Sequence, residues 1–388
     1  MRLSVCLIAK NEEANLKRVL GSVKPVADEI VLTDTGSTDR TIEFAKAFGA
    51  RVCHFQWCDD LSAARNYCYS QAQGEWIFWI DCDEELLSES ADEIKQCLSR
   101  KGVFAYLILR QDLKDLSRPD LYSEMWLPRL FRNHKKIHLR GRHHEQFEPS
   151  LTDLAAKEEQ VVETSEIRIR HYGFAGPGRA DKFQRDVKLL ELELQERPGQ
   201  LYYQIELYRT LLLMADDRWK DAFNEAVENF KQFINDEHPP TPLAASLLET
   251  LLQLPESELP ANMTPSQLVG LAQRWYPRAA PLLWVLAKQD YEKGRFEKAE
   301  IQLRRLIQMG KEHSYDRYVG FDPQIFAEQA QLNLAVCLIR QAKLVEANEI
   351  LESLLSIESI RPAVEKNLNA IKDIRGPFLK RKRRKRKK

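Results

Sequence analysis

The sequence predicts two kinds of structure in succession, an α/β domain with a mostly parallel sheet and then an all-α region. In the first hundred residues, strand patterns alternate with helix patterns four times, which is typical of βαβ units. Three further strand patterns follow with few helices between them, at 103–109, 125–131 and 166–172. After about residue 180 the apolar periodicity is helical. We therefore place a domain boundary near residue 180, which gives an α/β domain over 1–180.

The first four strands are predicted from short apolar runs that are bounded by polar residues and turns. They cover residues 3–9, 29–34, 51–55 and 76–81, and the helices between them cover 11–23, 41–48, 62–73 and 88–98. Asn11 suits a helix N-cap, and Gly49 suits the position just past a helix end. Neither a G-x-G-x-x-G nor a Walker A pattern occurs, so phosphate binding by those loops is not expected.

The central stretch of the chain is the strand pattern at 76–80 and the acidic run that follows it. Its five apolar residues have no polar break, which indicates a strand buried on both faces of a parallel sheet. Asp81, Asp83, Glu84 and Glu85 come directly after this strand. Ligands of open α/β sheets bind outside the carboxyl ends of the strands, and Mg²⁺ combines one or two carboxylates with phosphate oxygens. The stretch thus indicates a cation that carries a phosphate; the alternative is the acidic first turn of the next helix.

Composition describes a globular chain of 388 residues, 44% hydrophobic and 30% charged. No apolar run approaches the ~18–20 residues of a membrane span, and the apolar N-terminal run is too short for a signal peptide. We therefore expect a cytoplasmic protein. The seven cysteines are odd in number, scattered and without a C-x-x-C pair, so neither a disulfide framework nor a zinc site is predicted.

The charge of the chain is unevenly distributed. Lysine and arginine occupy all nine positions from 380 to 388, and because the whole chain is neutral, the rest carries nine net negative charges. Repulsion between these cations predicts a disordered tail over 378–388. It is interpreted as a peripheral contact with the anionic cytoplasmic membrane face. A solvated tail without a partner is the alternative, and nucleic acid is not expected because the body is acidic.

The helical region, 181–377, contains two segments with tetratricopeptide-like spacing, at 281–310 and 331–354. Ala299 and Ala347 occupy matching places 48 residues apart rather than ~34, so an insert is predicted between the two units. Ordinary amphipathic hairpins are the alternative. Stacked hairpins create extended surfaces, so this region is where a protein partner or the acceptor would bind.

Four N-terminal motifs stand in a characteristic order, at 6–13, 28–41, 63–66 and 74–85. Together they resemble the family 2 glycosyltransferases of the GT-A fold, which have a Rossmann-like sheet. The chain is most similar to lipopolysaccharide-core β-glucosyltransferase-like proteins and to glycosyltransferases with tetratricopeptide tails. The resemblance implies an inverting transfer from a nucleotide sugar, expected to be a UDP-sugar, with Mn²⁺ or Mg²⁺ as cofactor. The acceptor would be a glycan, a glycolipid or a protein.

The resemblance also implies roles for individual residues on the donor side. Lys10, Glu12 and Asp34 would line the nucleoside pocket, and Arg65 would reach the diphosphate. Asp81 would face the ribose or the sugar, and Asp83 would bind the metal. Many relatives have a second Asp where this chain has Thr35.

The candidate residues for the acceptor side are the segment 141–145 and His171. An inverting transfer needs a base opposite the leaving diphosphate, and Glu145 is the candidate, with His144 second. The alternative is that Glu145 only pairs with Arg140 or Arg142. His171 ends a predicted strand where relatives often place a metal- or phosphate-binding His, although a strand-end His without that role is equally compatible. A competing function is a tetratricopeptide-type scaffold with a catalytically reduced nucleotide-sugar domain.

Overall fold

The computed structural model describes residues 2–173 and 179–385, with the side chains of Arg179 and of residues 375–385 left out. The chain divides into two compact units, Met1–Gln232 and Phe233–Lys388. The strands, all in the first unit, are β1 (Leu3–Ala9), β2 (Glu29–Asp34), β3 (Arg51–His54), β4 (Trp76–Trp79), β5 (Glu84–Leu86), β6 (Val103–Leu113), β7 (Tyr122–Arg132), β8 (Leu139–Arg140), β9 (Gln146–Phe147) and β10 (Val161–His171). The helices of this unit are α1 (Glu13–Val23), α2 (Thr41–Ala47), α3 (Leu61–Gln71), α4 (Ala91–Ser99), α5 (Leu151–Lys157), α6 (Arg179–Glu196), α7 (Leu201–Leu213) and α8 (Trp219–Phe230).

Eight strands form one mixed sheet in the order β3-β2-β1-β4-β7-β6-β10-β5. Strands β3, β2, β1 and β4 are mutually parallel, as the alternating pattern predicts. Strand β7 enters antiparallel between β4 and β6, β10 runs parallel to β6, and β5 pairs antiparallel with β10. This arrangement confirms an α/β domain with a mostly parallel sheet.

The core of this sheet explains why the central strand is apolar throughout. Trp76, Ile77 and Phe78 are all at most 1% exposed, because β4 is covered by helices on both faces. The ring of Trp76 stacks on that of Tyr106 from β6, with centroids 5.7 Å apart. The carboxyl end of β4 is thereby held at the middle of the sheet.

The acidic run after β4 is not the first turn of a helix. Glu84 and Glu85 lie in β5, whose residue Glu84 pairs with His171 of β10, and α4 begins only at Ala91. The dipole explanation for the acidic run is therefore wrong. The short strand turns these carboxylates back toward the sheet, where they need cationic partners.

Helices α6, α7 and α8 belong to the first compact unit, although the sequence pattern places a boundary near residue 180. A hydrogen bond and an ion pair join α7 and α6 to β8 and to the loop that follows it. Tyr203 Oη donates to the carbonyl of Arg140 over 3.2 Å, and Arg142 pairs with Glu196 at 2.9 Å. The change from strands to helices is thus not the place where the compact unit ends.

The second unit consists of helical hairpins. Its helices are α9 (Ala244–Gln253), α10 (Pro265–Trp275), α11 (Ala280–Glu292), α12 (Phe296–Glu312), α13 (Glu328–Arg340), α14 (Leu344–Ser353) and α15 (Arg361–Lys385). The two segments with repeat-like spacing form the hairpins α11–α12 and α13–α14, and Ala299 and Ala347 are fully buried in them. The insert between the hairpins packs Tyr315, Phe321 and Phe326 against one another, with ring centroids 4.8–5.0 Å apart. An all-α second part of the chain is confirmed.

The backbone of α15 is described as far as Lys385. The disorder that the sequence predicts for the basic tail from residue 378, taken as a segment in isolation, stays a prediction. Residues 386–388 lie outside the described part, and membrane attachment stays a prediction. In the described residues, none of the helices combines the length and apolarity required to cross a membrane.

We predict that a side chain at Gly74, just before β4, would destabilise the protein. A Cβ there would lie 2.6 Å from Ser4 Oγ and 2.7 Å from Ser4 N, so Gly74→Ala should destabilise the protein by about 1–3 kcal/mol. Gly21→Ala is the matched control, because a Cβ in that helix meets nothing within 4 Å and should be neutral or stabilising. Urea unfolding of both variants measures the effect, and equal midpoints for the two would contradict it.

Candidate active site

The ends of β1 and β2 form one side of the candidate site. The buried carboxylate of Asp34 accepts hydrogen bonds from Gly36 N at 3.2 Å and Ser37 N at 3.1 Å, which fixes the turn after β2. Asn11 is not the N-cap of α1, a position taken by Glu12. Instead it adopts a left-handed conformation (φ 56°), and its Oδ1 accepts from Thr38 N at 2.8 Å. The loops after β1 and β2 are thus locked together.

Glu12 and Lys10 lie in the loop that follows β1. Asn15 Nδ2 donates to Glu12 Oε2 over 2.7 Å, while Lys10 is exposed. Burial raises the pKa of the Glu12 carboxyl, and the negative charges of Asp83 and Asp81 add to that rise. The carboxylates predicted from the first and fourth motifs therefore lie near one another. The nucleoside-binding roles of Lys10, Glu12 and Asp34 stay predictions.

The guanidinium of Arg65 joins the two halves of the site. Its Nη2 lies 2.7 Å from Asp81 Oδ1, and its Nε lies 2.8 Å from Glu145 Oε1. The side chains of Arg65 and Glu145 are 8% and 7% exposed, so this ion pair is shielded from water, whereas the side chain of Asp81 is 27% exposed. Helix α3 positions this arginine, and its N-terminus is capped by Asp60, which accepts from Ala63 N at 2.9 Å.

Arg129, which the sequence analysis did not identify, pairs with two of the carboxylates after β4. Its Nη2 lies 3.2 Å from Asp81 Oδ2 and 2.9 Å from the fully buried Glu84 Oε1. The guanidinium groups of Arg65 and Arg129 also lie over the ring of Trp79, with their Cζ atoms 4.0 and 3.5 Å from the ring centroid. The sequence offered one signal for Arg129, because it is a charged residue within the apolar strand pattern at 125–131.

The ionisation of Asp81 follows from these contacts. Burial alone would raise its carboxyl pKa, but the positive charges of Arg65 and Arg129 hold the pKa below its ordinary value. Glu145 behaves in the same way, because attraction to Arg65 outweighs burial and lowers its pKa. Both groups are therefore carboxylates at neutral pH.

Asp83 has a different set of partners. Lys182 Nζ lies 2.7 Å from Asp83 Oδ2, and His171 Nε2 lies 3.3 Å from the same oxygen. The other ring nitrogen of His171 lies 2.7 Å from Asp112 Oδ1. Sequence reasoning brought Asp83 and His171 to one site as possible metal ligands, and the structure places them side by side. The sequence analysis did not identify Lys182 or Asp112 as part of this site.

The loop after β8 and helices α6 and α7 form the opposite side. His144 has a left-handed backbone (φ 53°), and its Nε2 lies 3.5 Å from Glu206 Oε2 on α7. His143 Nε2 lies 3.5 Å from Asp186 Oδ2 on α6. Burial lowers the pKa of His144 to about 4, so its imidazole is neutral at neutral pH. The two helices therefore contribute carboxylates to this side.

The alternative explanation for Glu145 names the wrong partners. Arg140 pairs with Glu148 at 2.9 Å, and Arg142 pairs with Glu196. Glu145 is ion-paired, but with Arg65, which also holds Asp81. Its pairing therefore lies within the site rather than outside it.

Asp83 and His171 offer two ligands of the kinds that a divalent cation takes, and a phosphate would have to supply others. A Cβ on Gly173 would lie 2.3 Å from Asp83 Oδ2 and 2.6 Å from His171 Nε2, so the glycine keeps a small space open beside both groups. Carboxylate and imidazole are suitable ligands for Mn²⁺, and phosphates and water complete such sites. Within residues 2–173 and 179–385, however, no group of three His, Cys, Asp or Glu side chains is arranged to hold an ion.

Arg65→Ala is predicted to destabilise the fold by about 3–5 kcal/mol, because it leaves the charges of Asp81 and Glu145 without their shared buried partner. Arg40→Ala serves as the comparison, since Arg40 makes an exposed pair with Glu43 and lies over the ring of Phe44, and its loss should change stability much less than the loss of Arg65. Chemical denaturation of both variants gives the two values, and a loss below ~1 kcal/mol for Arg65→Ala would contradict the buried-pair argument.

The N-terminal part of the chain matches a known protein family. Residues 4–140 match the family described as Glycosyl transferase family 2. A TPR repeat-containing protein of Synechococcus elongatus is 35% identical over 229 residues, which are 56% of this chain and 55% of that protein. An uncharacterized glycosyltransferase of Rickettsia typhi is 35% identical over 127 residues, which are 33% of this chain and 43% of that protein.

The chain spans about half the length of the curated relatives it matches. Among solved structures, S. aureus TarS is similar to it with a TM-score of 0.37 and 16% identity, over 74% of this chain and 53% of that chain. Four ordered motifs, a mostly parallel sheet and carboxylates at the carboxyl end of the central strand accompany this match, so the segment 4–140 is similar to glycosyl transferase family 2.

Proposed function

We propose that this protein is an inverting, divalent-cation-dependent glycosyltransferase that moves a sugar from a nucleotide sugar to an acceptor nucleophile. The observation that carries the proposal is the connected charge network at the end of β4, in which Arg65 links donor-side Asp81 to acceptor-side Glu145. A catalytically reduced domain would have no need for this costly buried network, which argues against the scaffold alternative.

The donor side is proposed to lie over the loops after β1, β2 and β4. Asp34, Glu12 and Lys10 would contact the nucleoside, and Asp81 the ribose or the sugar. Asp83 and His171 would hold Mn²⁺ or Mg²⁺, which would neutralise the departing diphosphate. Because Arg65 is held between two carboxylates, we infer that it positions them relative to each other, in addition to the diphosphate contact that the family resemblance implies.

The acceptor side is proposed to lie between the loop at 141–145 and helices α6 and α7. Glu145 is the proposed general base, since it is ionised and is anchored through Oε1 to Arg65 Nε. It would take the proton of the acceptor as the new bond to the sugar forms and the bond to the diphosphate breaks. His144, neutral and next to Glu206, is the second candidate for this proton transfer.

The central experiment measures release of nucleoside diphosphate from a panel of sugar nucleotides, beginning with UDP-sugars, with Mn²⁺, Mg²⁺ or chelator. We expect one donor to be turned over only with a cation, and Asp83→Asn to lower that rate at least about 100-fold. Asp92→Asn is the control, because Asp92 is an exposed helix residue that pairs with Lys95, which is also exposed, and its rate should be unchanged. Full activity of Asp83→Asn in chelator would exclude a cation at this carboxylate, and no turnover of any donor would favour the scaffold.

Glu145→Gln separates base catalysis from positioning. The amide can still accept the hydrogen bond from Arg65 Nε but cannot take a proton, so we expect turnover to fall about 100-fold or more while donor affinity is kept. Titration with the donor and steady-state rates provide both readings. Unchanged turnover would transfer the role to His144, for which His144→Gln is the matched variant, whereas weaker donor binding alone would mark Glu145 as a positioning group.

A further inference from the structure

Lys182 makes an unusual contact for a candidate cation site. Its Nζ lies 2.7 Å from Asp83 Oδ2, the oxygen that His171 Nε2 also approaches, at 3.3 Å. Lys182 stands in the first turn of α6, outside the region that matches the family, 4–140. The ammonium group of Lys182 therefore already pairs with Asp83, the carboxylate on which the proposed function depends.

The three groups share one small space. A Cβ on Gly173 would lie 2.3 Å from Asp83 Oδ2, 2.6 Å from His171 Nε2 and 2.7 Å from Lys182 Nζ. A divalent ion bound to Asp83 in this space would lie within a few ångströms of the lysine ammonium. Like charges at such a distance repel each other, so the two cations cannot both bind Asp83 at full strength.

The lysine can leave more readily than the other cations of the site. Arg65 and Arg129 are only 8% and 2% exposed and are held by stacking on Trp79, whereas the Lys182 side chain is 33% exposed. An ammonium on a flexible stem binds as a point charge and gains no fixed two-point geometry at Asp83. The diphosphate of a donor would offer that ammonium another anion close by.

We propose that Lys182 is a resident counter-cation that competes with the divalent ion for Asp83 and yields to it when the donor diphosphate binds. Free cation then binds weakly, and cation and nucleotide strengthen each other's binding, since the nucleotide supplies the lysine with a new partner. The inference rests on the proposed function, because it assumes that Asp83 holds the cation.

The test measures Mn²⁺ binding to the full chain by electron paramagnetic resonance, with and without UDP. Lys182→Met removes the charge and keeps the length of the side chain, Lys182→Arg keeps the charge, and Lys188→Met is the control on the same helix, where Lys188 pairs with Asp59. Without UDP, we expect Lys182→Met to bind Mn²⁺ at least about tenfold more tightly than the wild type. The strengthening of Mn²⁺ binding by UDP should shrink in the same variant, while Lys182→Arg and Lys188→Met should resemble the wild type.

The outcomes separate this inference from the proposed function. Wild-type binding of Mn²⁺ that Lys182→Met leaves unchanged or weakens would overturn the competition while leaving the cation site in place. If neither protein binds Mn²⁺ with or without UDP, the competition and the cation dependence both fail, and turnover in chelator then decides whether transfer itself remains. Turnover by the wild type in chelator that Lys182→Met abolishes would show that Lys182 replaces the ion, which also overturns competition.

Discussion

The buried guanidinium of Arg65 is the constraint on which the rest of the site depends. Asp81 and Glu145 are 64 positions apart in the chain and approach each other only because one planar cation hydrogen-bonds to both. Without it, two carboxylates in a water-poor space would repel each other and lose their hydration. The apolar strand β4 supplies the first carboxylate at a fixed place, and Arg129 with Trp79 completes the charge balance.

The site has two parts that differ in how deeply the cationic partners of their carboxylates are buried. Around Asp81 and Glu84 the partners are arginines that are nearly fully buried. Around Asp83 they are a lysine and a histidine, of which the lysine is one-third exposed. This difference is what a site needs if one carboxylate must stay in place and another must exchange one cation for another as a donor arrives.

Helices α6 and α7 contribute side chains to the candidate site. They supply Lys182, Asp186 and Glu206 to the site, and they lie outside the segment that matches the family. A chain cut near residue 180 would therefore lose part of the charge network rather than only an attached helical region. The compact unit ends after α8, at Gln232, and the repeat-like hairpins α11–α12 and α13–α14 lie in the second unit.

The sequence by itself determined the α/β class, the all-α second part, and the donor-side motifs, because apolar periodicity and short ordered motifs are local properties. It also placed Asp81 and Asp83 at the end of a buried strand. Only the tertiary structure decided which cation meets which carboxylate: the partners of Asp81, Asp83 and Glu145 come from distant elements and carry no common spacing. The same holds for β5, whose three residues form a strand only because β10 offers them a pairing edge.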